Sequence, residues 1–197
     1  MGTEAKRKKR EKTKGNDFMQ LYRSADADGR LKLLMENYYI LPKIIRWIET
    51  KIRFKIRAEK EYMHSRNRVE AGVRVTDLGL SNPTEEEALL NIVIDEAITT
   101  GEIDKGLLKG CEDTGEYIAD IHLLQVIRMD YELLTEKIES LEDKECEWVK
   151  AYLLKEKQLK EISFDQKRSY AALRKKYFKI REGIRKELIE CLELNCG

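Results

Sequence analysis

Apolar residues recur three or four positions apart along most of the chain, the spacing of helices that bury one side. Phe18, Leu21 and Tyr22 begin the pattern, and Leu31, Leu33, Leu34, Tyr38 and Tyr39 resume it after a break near Asp26 and Gly29. Pro42 suits a helix start, and Ile44, Ile45, Ile48, Ile52, Ile56 and Ala58 predict one long helix to about Arg68. A polar, glycine-containing connector spans 72–82. Asn82-Pro83-Thr84 before three glutamates then signals a new helix, with Thr84 as cap and the acids beside the positive end of the helix dipole. Its expected apolar side is Ala88, Leu89, Ile92, Val93, Ala97 and Ile98, and it should end near Gly101. After a less regular passage over 101–115, another long helix carries Ile118, Ile121, Leu124, Val126, Ile127, Leu133, Leu134, Ile138 and Leu141.

The last stretch changes rhythm. Ser140 and Asp143 have the spacing of a capping box, so a helix is expected from about Leu141, with Trp148, Val149, Tyr152 and Leu153 on its apolar side. Leu159 and Ile162 anchor a short second helix. Ser169 caps a third, whose stripe is Leu173, Tyr177, Ile180, Ile184 and Leu188. Three helices of this length can enclose a small core in the helix-turn-helix arrangement.

Composition agrees with an all-α chain. Among 197 residues, 38% are charged and only two are proline, which favours long, salt-laced helices over a sheet. The expected organisation is a disordered basic arm over 1–15, an N-terminal helical region over 16–82, long central helices over 83–139 and a C-terminal helix-turn-helix unit over 140–197.

The formal net charge of +1 hides segregated blocks: 6–14 is basic, 85–147 is rich in acids and 150–186 is basic again. A patch can therefore bind phosphates while the whole stays near neutral. On the third C-terminal helix, Lys175, Lys179 and Lys186 lie opposite the apolar stripe, and Arg174, Lys176, Arg181 and Arg185 lie on its flanks. Glu182 is the only acid between Lys167 and Lys186. Charge of one sign on an exposed face points to an anionic partner.

Other chemistry is thinly represented. His64 and His122 are the only histidines, the first expected exposed and the second partly buried. There is no glycine-rich phosphate loop, and Cys111, Cys146, Cys191 and Cys196 lack paired metal-ligand spacing. Adjacent acids such as Asp95 and Glu96 point apart on a helix, and the residues near Asp26 lack the later ligands of a calcium loop. No enzyme activity, cofactor or metal is expected. No apolar run approaches the roughly 20 residues of a membrane span, and no signal-peptide core follows the basic N-terminus, so a cytoplasmic protein with free thiols is expected. The basic side of the long helix, Arg46, Lys51, Arg53, Lys55, Arg57 and Lys60, fits a solvated face better than a nucleic-acid contact, and Trp47 with Phe54 fits packing better than a base-stacking platform.

Glu161, Ile162, Ser169 and Leu173 occupy, without a gap, places in a register that resembles the fourth region of bacterial RNA polymerase sigma factors. Ser163 stands where that pattern has a small alanine, Gln166 replaces a leucine, Lys167 the turn glycine and Arg168 a commonly apolar residue. Phe164 is expected to supply the contact that Gln166 cannot. Lys167 is expected to adopt a left-handed conformation if the family turn persists; otherwise the turn is one residue longer. Asn82-Pro83-Thr84 and Arg168-Ser169-Tyr170 also look like the sigma-like late-gene activators of Firmicutes phages and prophages, the ArpU and RinA type.

The resemblance implies a sequence-specific transcriptional regulator that binds double-stranded DNA and contacts RNA polymerase, with Glu142 to Glu147 and the helix before it as a candidate polymerase or homo-oligomer surface. It places Ser169, Tyr170, Ala171, Arg174 and Lys175 toward the major groove and Arg168, Lys176 and Lys179 on phosphates. Arg174 is the expected base reader, because arginine can donate two parallel hydrogen bonds to guanine. Tyr170 fits a DNA contact or packing on the preceding helix. Two other readings stand beside this one: a phage terminase small subunit, in which the DNA-binding unit usually comes first, and a helical scaffold for an acidic protein partner.

Overall fold

The computed structural model describes residues 15–70, 83–104 and 106–194. Among them, all regular structure is helical: α1 (Gly15–Ser24), α2 (Ala27–Asn37), α3 (Leu41–Glu70), α4 (Pro83–Thr100), α5 (Thr114–Glu139), α6 (Asp143–Leu153), α7 (Leu159–Asp165) and α8 (Tyr170–Leu194). The expected basic arm, the 72–82 connector and Cys196 lie outside the described residues. No described helix is long and apolar enough to cross a membrane. The chain divides into two compact units, residues 1–45 with 126–197, and residues 46–125.

In the first unit, Phe18 and Tyr22 of α1, Leu31 and Leu34 of α2, and Leu134 and Ile138 of α5 are buried. So are Trp148 and Val149 of α6, Leu159 and Ile162 of α7, and Leu173, Ile184 and Leu188 of α8. Burying each such aliphatic side chain contributes roughly 1.5–3 kcal/mol. Polar bonds also cross this core: the Tyr22 hydroxyl donates to Asp130 at 2.6 Å and the Tyr38 hydroxyl to Thr135 at 3.3 Å, while the Arg30 guanidinium lies 5.4 Å from the Tyr22 ring. The break near Asp26 is a helix start, in which the Asp26 carboxylate accepts from the Gly29 N–H at 2.8 Å and caps α2. α8 packs against α2 and α7.

In the second unit, Ile48, Ile52 and Ile56 of α3, Ile94, Ala97 and Ile98 of α4, and Ile121 and Leu124 of α5 are buried. Gly101 ends α4 at φ +81°, as its position in the sequence suggests. The basic side of α3 is used by acids of the same unit: Arg53 pairs with Asp95 at 2.7 Å, Arg57 with Glu87 at 2.6 Å and Lys55 with Glu116 at 2.5 Å. The Glu59 carboxylate accepts from the Glu112 N–H and the Tyr117 hydroxyl, anchoring the start of α5. Burial raises the Cys111 thiol pKa, which keeps it protonated and poorly nucleophilic.

Several local expectations are corrected. Ser140 does not cap α6: its hydroxyl donates back to the Lys137 carbonyl and closes α5, and α6 starts two residues later than expected, at Asp143. Pro83 is the first residue of α4, so Thr84 lies inside the helix and not at its cap. Leu89 and Ile92 are exposed, because the buried side of α4 runs through Ile94, Ala97 and Ile98. Phe54 is also largely exposed and Trp47 partly so, on a side of α3 away from Ile48, Ile52 and Ile56. His122 is exposed, one position beyond the buried Ile121. His64 is exposed as expected.

Candidate nucleic-acid interface

The residues before α8 set its direction through two hydrogen-bonded helix ends. At the start of α7, the Gln158 N–H donates to the Glu161 carboxylate at 2.6 Å, so the glutamate of the sigma-like register serves as a cap. At the end of α7, the Lys167 N–H donates to the Phe164 carbonyl and the Arg168 N–H to the Ser163 carbonyl, at 3.0 and 2.9 Å. That is a Schellman ending, with Lys167 in the left-handed conformation at φ +51°. The conformation expected for Lys167 is therefore present without a glycine. Ser169 then caps α8, its Oγ accepting from the Ala172 N–H at 3.3 Å.

Four residues, 166–169, separate α7 from α8. The two helices pack through the buried Leu159, Ile162 and Leu173. Phe164 does not take the place of the missing leucine. It is 85% exposed, and Gln166 is half-buried instead. α6 closes the other side, with Tyr152 and Trp148 edge-on to Tyr177 at centroid distances of 4.9 and 6.3 Å. Burial raises the Tyr177 phenol pKa to about 12, with Tyr152 adding to the rise and Arg181 opposing it.

The expected contact residues do not all share one environment. Arg168, Ser169, Tyr170, Ala171, Arg174, Lys175 and Lys179 are exposed. Ala171, Arg174 and Lys175 lie on one side of the first two turns, and Lys179 follows Lys175 by one turn. Among the described residues, none forms an ion pair with Arg168, Arg174, Lys175 or Lys179. Lys176 differs: it is half-buried and paired with Glu145 of α6. Farther along α8, Arg185 is bound to Asp28, and Glu187 pairs with Lys137. Unpaired positive charge on α8 is thus densest in its first three turns. Protein-family models, curated proteins and solved structures give no match to this chain.

Sequence periodicity missed one member of the exposed face. Phe178 is 47% exposed, and the Arg174 guanidinium lies 5.7 Å from its ring centroid. Its signal in the sequence was position: an aromatic one residue off the Leu173, Tyr177, Ile180 stripe, and four residues after an arginine. Elsewhere, a pocket of about 670 Å³ in the second unit is lined by Arg57, Lys60, His64, Glu87, Leu89 and Asp104, among others. Among the described residues, no group of three His, Cys, Asp or Glu side chains is arranged to hold a metal ion.

Proposed function

We propose that this protein is a sequence-specific regulator of transcription that binds double-stranded DNA. In this reading α6, α7 and α8 act as a helix-turn-helix unit, and the first three turns of α8 enter the major groove. One observation carries the reading: Arg168, Arg174, Lys175 and Lys179 stand exposed, without ion-pair partners among the described residues, at a helix whose opposite side is tied into the core by Leu173. Residues 169–179 span about 15 Å of helix, comparable to a major groove about 12 Å wide. Arg174 reads guanine, and Arg168 and Lys179 contact phosphates.

The sigma-like register of Glu161, Ile162, Ser169 and Leu173 supports a role beside RNA polymerase at phage or prophage late genes. Recovery of protein-bound fragments from the source genome tests this. Enrichment upstream of one gene block is expected; uniform recovery contradicts the reading. A second reading rests on Trp47, Phe54 and Tyr62, exposed along α3, which favour a helical scaffold with a protein partner. A scaffold enriches no DNA fragment.

A further inference from the structure

We infer that Phe178 is a specificity residue that contacts the 5-methyl group of thymine, paired with Arg174 on a neighbouring guanine. The inference rests on the groove-binding reading above. Phe178 and Tyr170 are the large apolar side chains exposed on the first three turns of α8, and Phe178 sits among Arg174, Lys175 and Lys179. A ring surrounded by cations is poorly suited to an apolar protein partner, because docking would strip water from those charges. A polyanion keeps them solvated or paired.

Duplex bases are stacked, so their faces are closed to a side chain entering the groove. The major-groove edges offer one apolar group, the thymine methyl. An exposed ring on a groove-facing helix therefore has one class of apolar partner there. Arg174 contributes the second half of the arrangement. With its guanidinium resting near the Phe178 ring at 5.7 Å, its N–H edge stays available to donate in its own plane. Residues four apart are separated by about 6 Å along the helix, close to two base steps of 3.4 Å, so the thymine lies within about two steps of the guanine. Glu182, one turn beyond Phe178, repels phosphate and ends the footprint.

The test uses the full chain and the DNA site recovered from the genome, with each thymine replaced singly by uracil, which lacks only the methyl group. At one thymine near a guanine, the change should weaken wild-type binding about fourfold, as expected for loss of one buried methyl-sized contact. Phe178→Ala should bind the thymine site correspondingly more weakly and be indifferent to the replacement, while Phe178→Leu should retain the dependence. Circular dichroism melting checks that both variants fold. Site-specific binding that ignores every uracil replacement overturns the role of Phe178 and leaves the regulator reading standing. Absence of any site preference in the wild type overturns both.

Discussion

Asp28 and Arg185 form a two-pronged ion pair: guanidinium Nε and Nη2 donate to the two carboxylate oxygens at 2.5 and 2.6 Å. The bond ties the first turn of α2 to the far half of α8. The guanidinium holds the Asp28 carboxyl below its ordinary 3.8, and Asp28 in turn holds Arg185 above its ordinary value. A carboxyl with a lowered folded-state pKa stabilises the fold above its ordinary pKa, and that contribution is lost as pH falls through the lowered value. Asp28→Asn should therefore lower the urea midpoint by a constant amount between about pH 5 and 8, with the difference shrinking below the ordinary value and vanishing in acid below the lowered one. High salt should shrink it, because both groups are exposed. A difference that persists in strong acid would show that the substitution acts otherwise.

The same pair occupies Arg185 and leaves it outside the unpaired cations proposed to face DNA. Arg185→Gln should change DNA affinity less than Lys179→Ala does, measured by titration of one duplex at one salt concentration. Equal losses would place the footprint farther along α8 than Glu182.

Lys167 holds φ +51° while its N–H donates to the Phe164 carbonyl. Glycine tolerates that backbone without a Cβ clash, so Lys167→Gly should stabilise the fold by about 0.5–1 kcal/mol. Lys167→Pro removes the donor and demands negative φ, and should destabilise it. Thermal melting checks both. A Lys167→Gly protein less stable than wild type would mean that the lysine side chain contributes more than its conformation costs.

Lys176 is held by Glu145, which is itself largely buried. Glu145→Gln should release the cation toward phosphate, tightening DNA binding and steepening the slope of log affinity against log salt by about 1. An unchanged slope would show that Lys176 stays against α6 without its partner.

Leu173 and Arg174 are neighbours in opposite environments, one buried and one exposed. Leu173 is fully buried, so Leu173→Ala should cost about 2–5 kcal/mol of stability. Arg174→Ala should leave stability within about 0.5 kcal/mol and flatten preference among DNA sites. Lys179→Ala should weaken all sites similarly. Matching profiles for Arg174→Ala and Lys179→Ala would refute the division between base reading and phosphate contact.

Periodicity was a good guide where a helix buries one continuous stripe. Ile48, Ile52 and Ile56 of α3, and Leu173, Ile180, Ile184 and Leu188 of α8, are buried as their spacing suggests. It misled on α4, where Leu89 and Ile92 fit an apolar face but remain exposed beside the buried Ile94. Caps were legible when one partner was available, as for Ser169, and ambiguous when a serine had two helices to serve, as for Ser140. Long-range charge pairing was not legible at all. Nothing local to Lys176 or Arg185 ties them to Glu145 and Asp28, the latter 157 positions away, so the basic face read from spacing is longer than the unpaired charge on it.

In the reading proposed above, the start of α8 docks on duplex DNA through a few unpaired cations. Affinity for a duplex carrying the recovered site, measured against salt, tests it most directly. With Arg168 and Lys179 on phosphates, the log–log slope should be about −1.8, with a preference over a scrambled duplex that survives at high salt. A slope near zero, with the two duplexes bound alike, would contradict it.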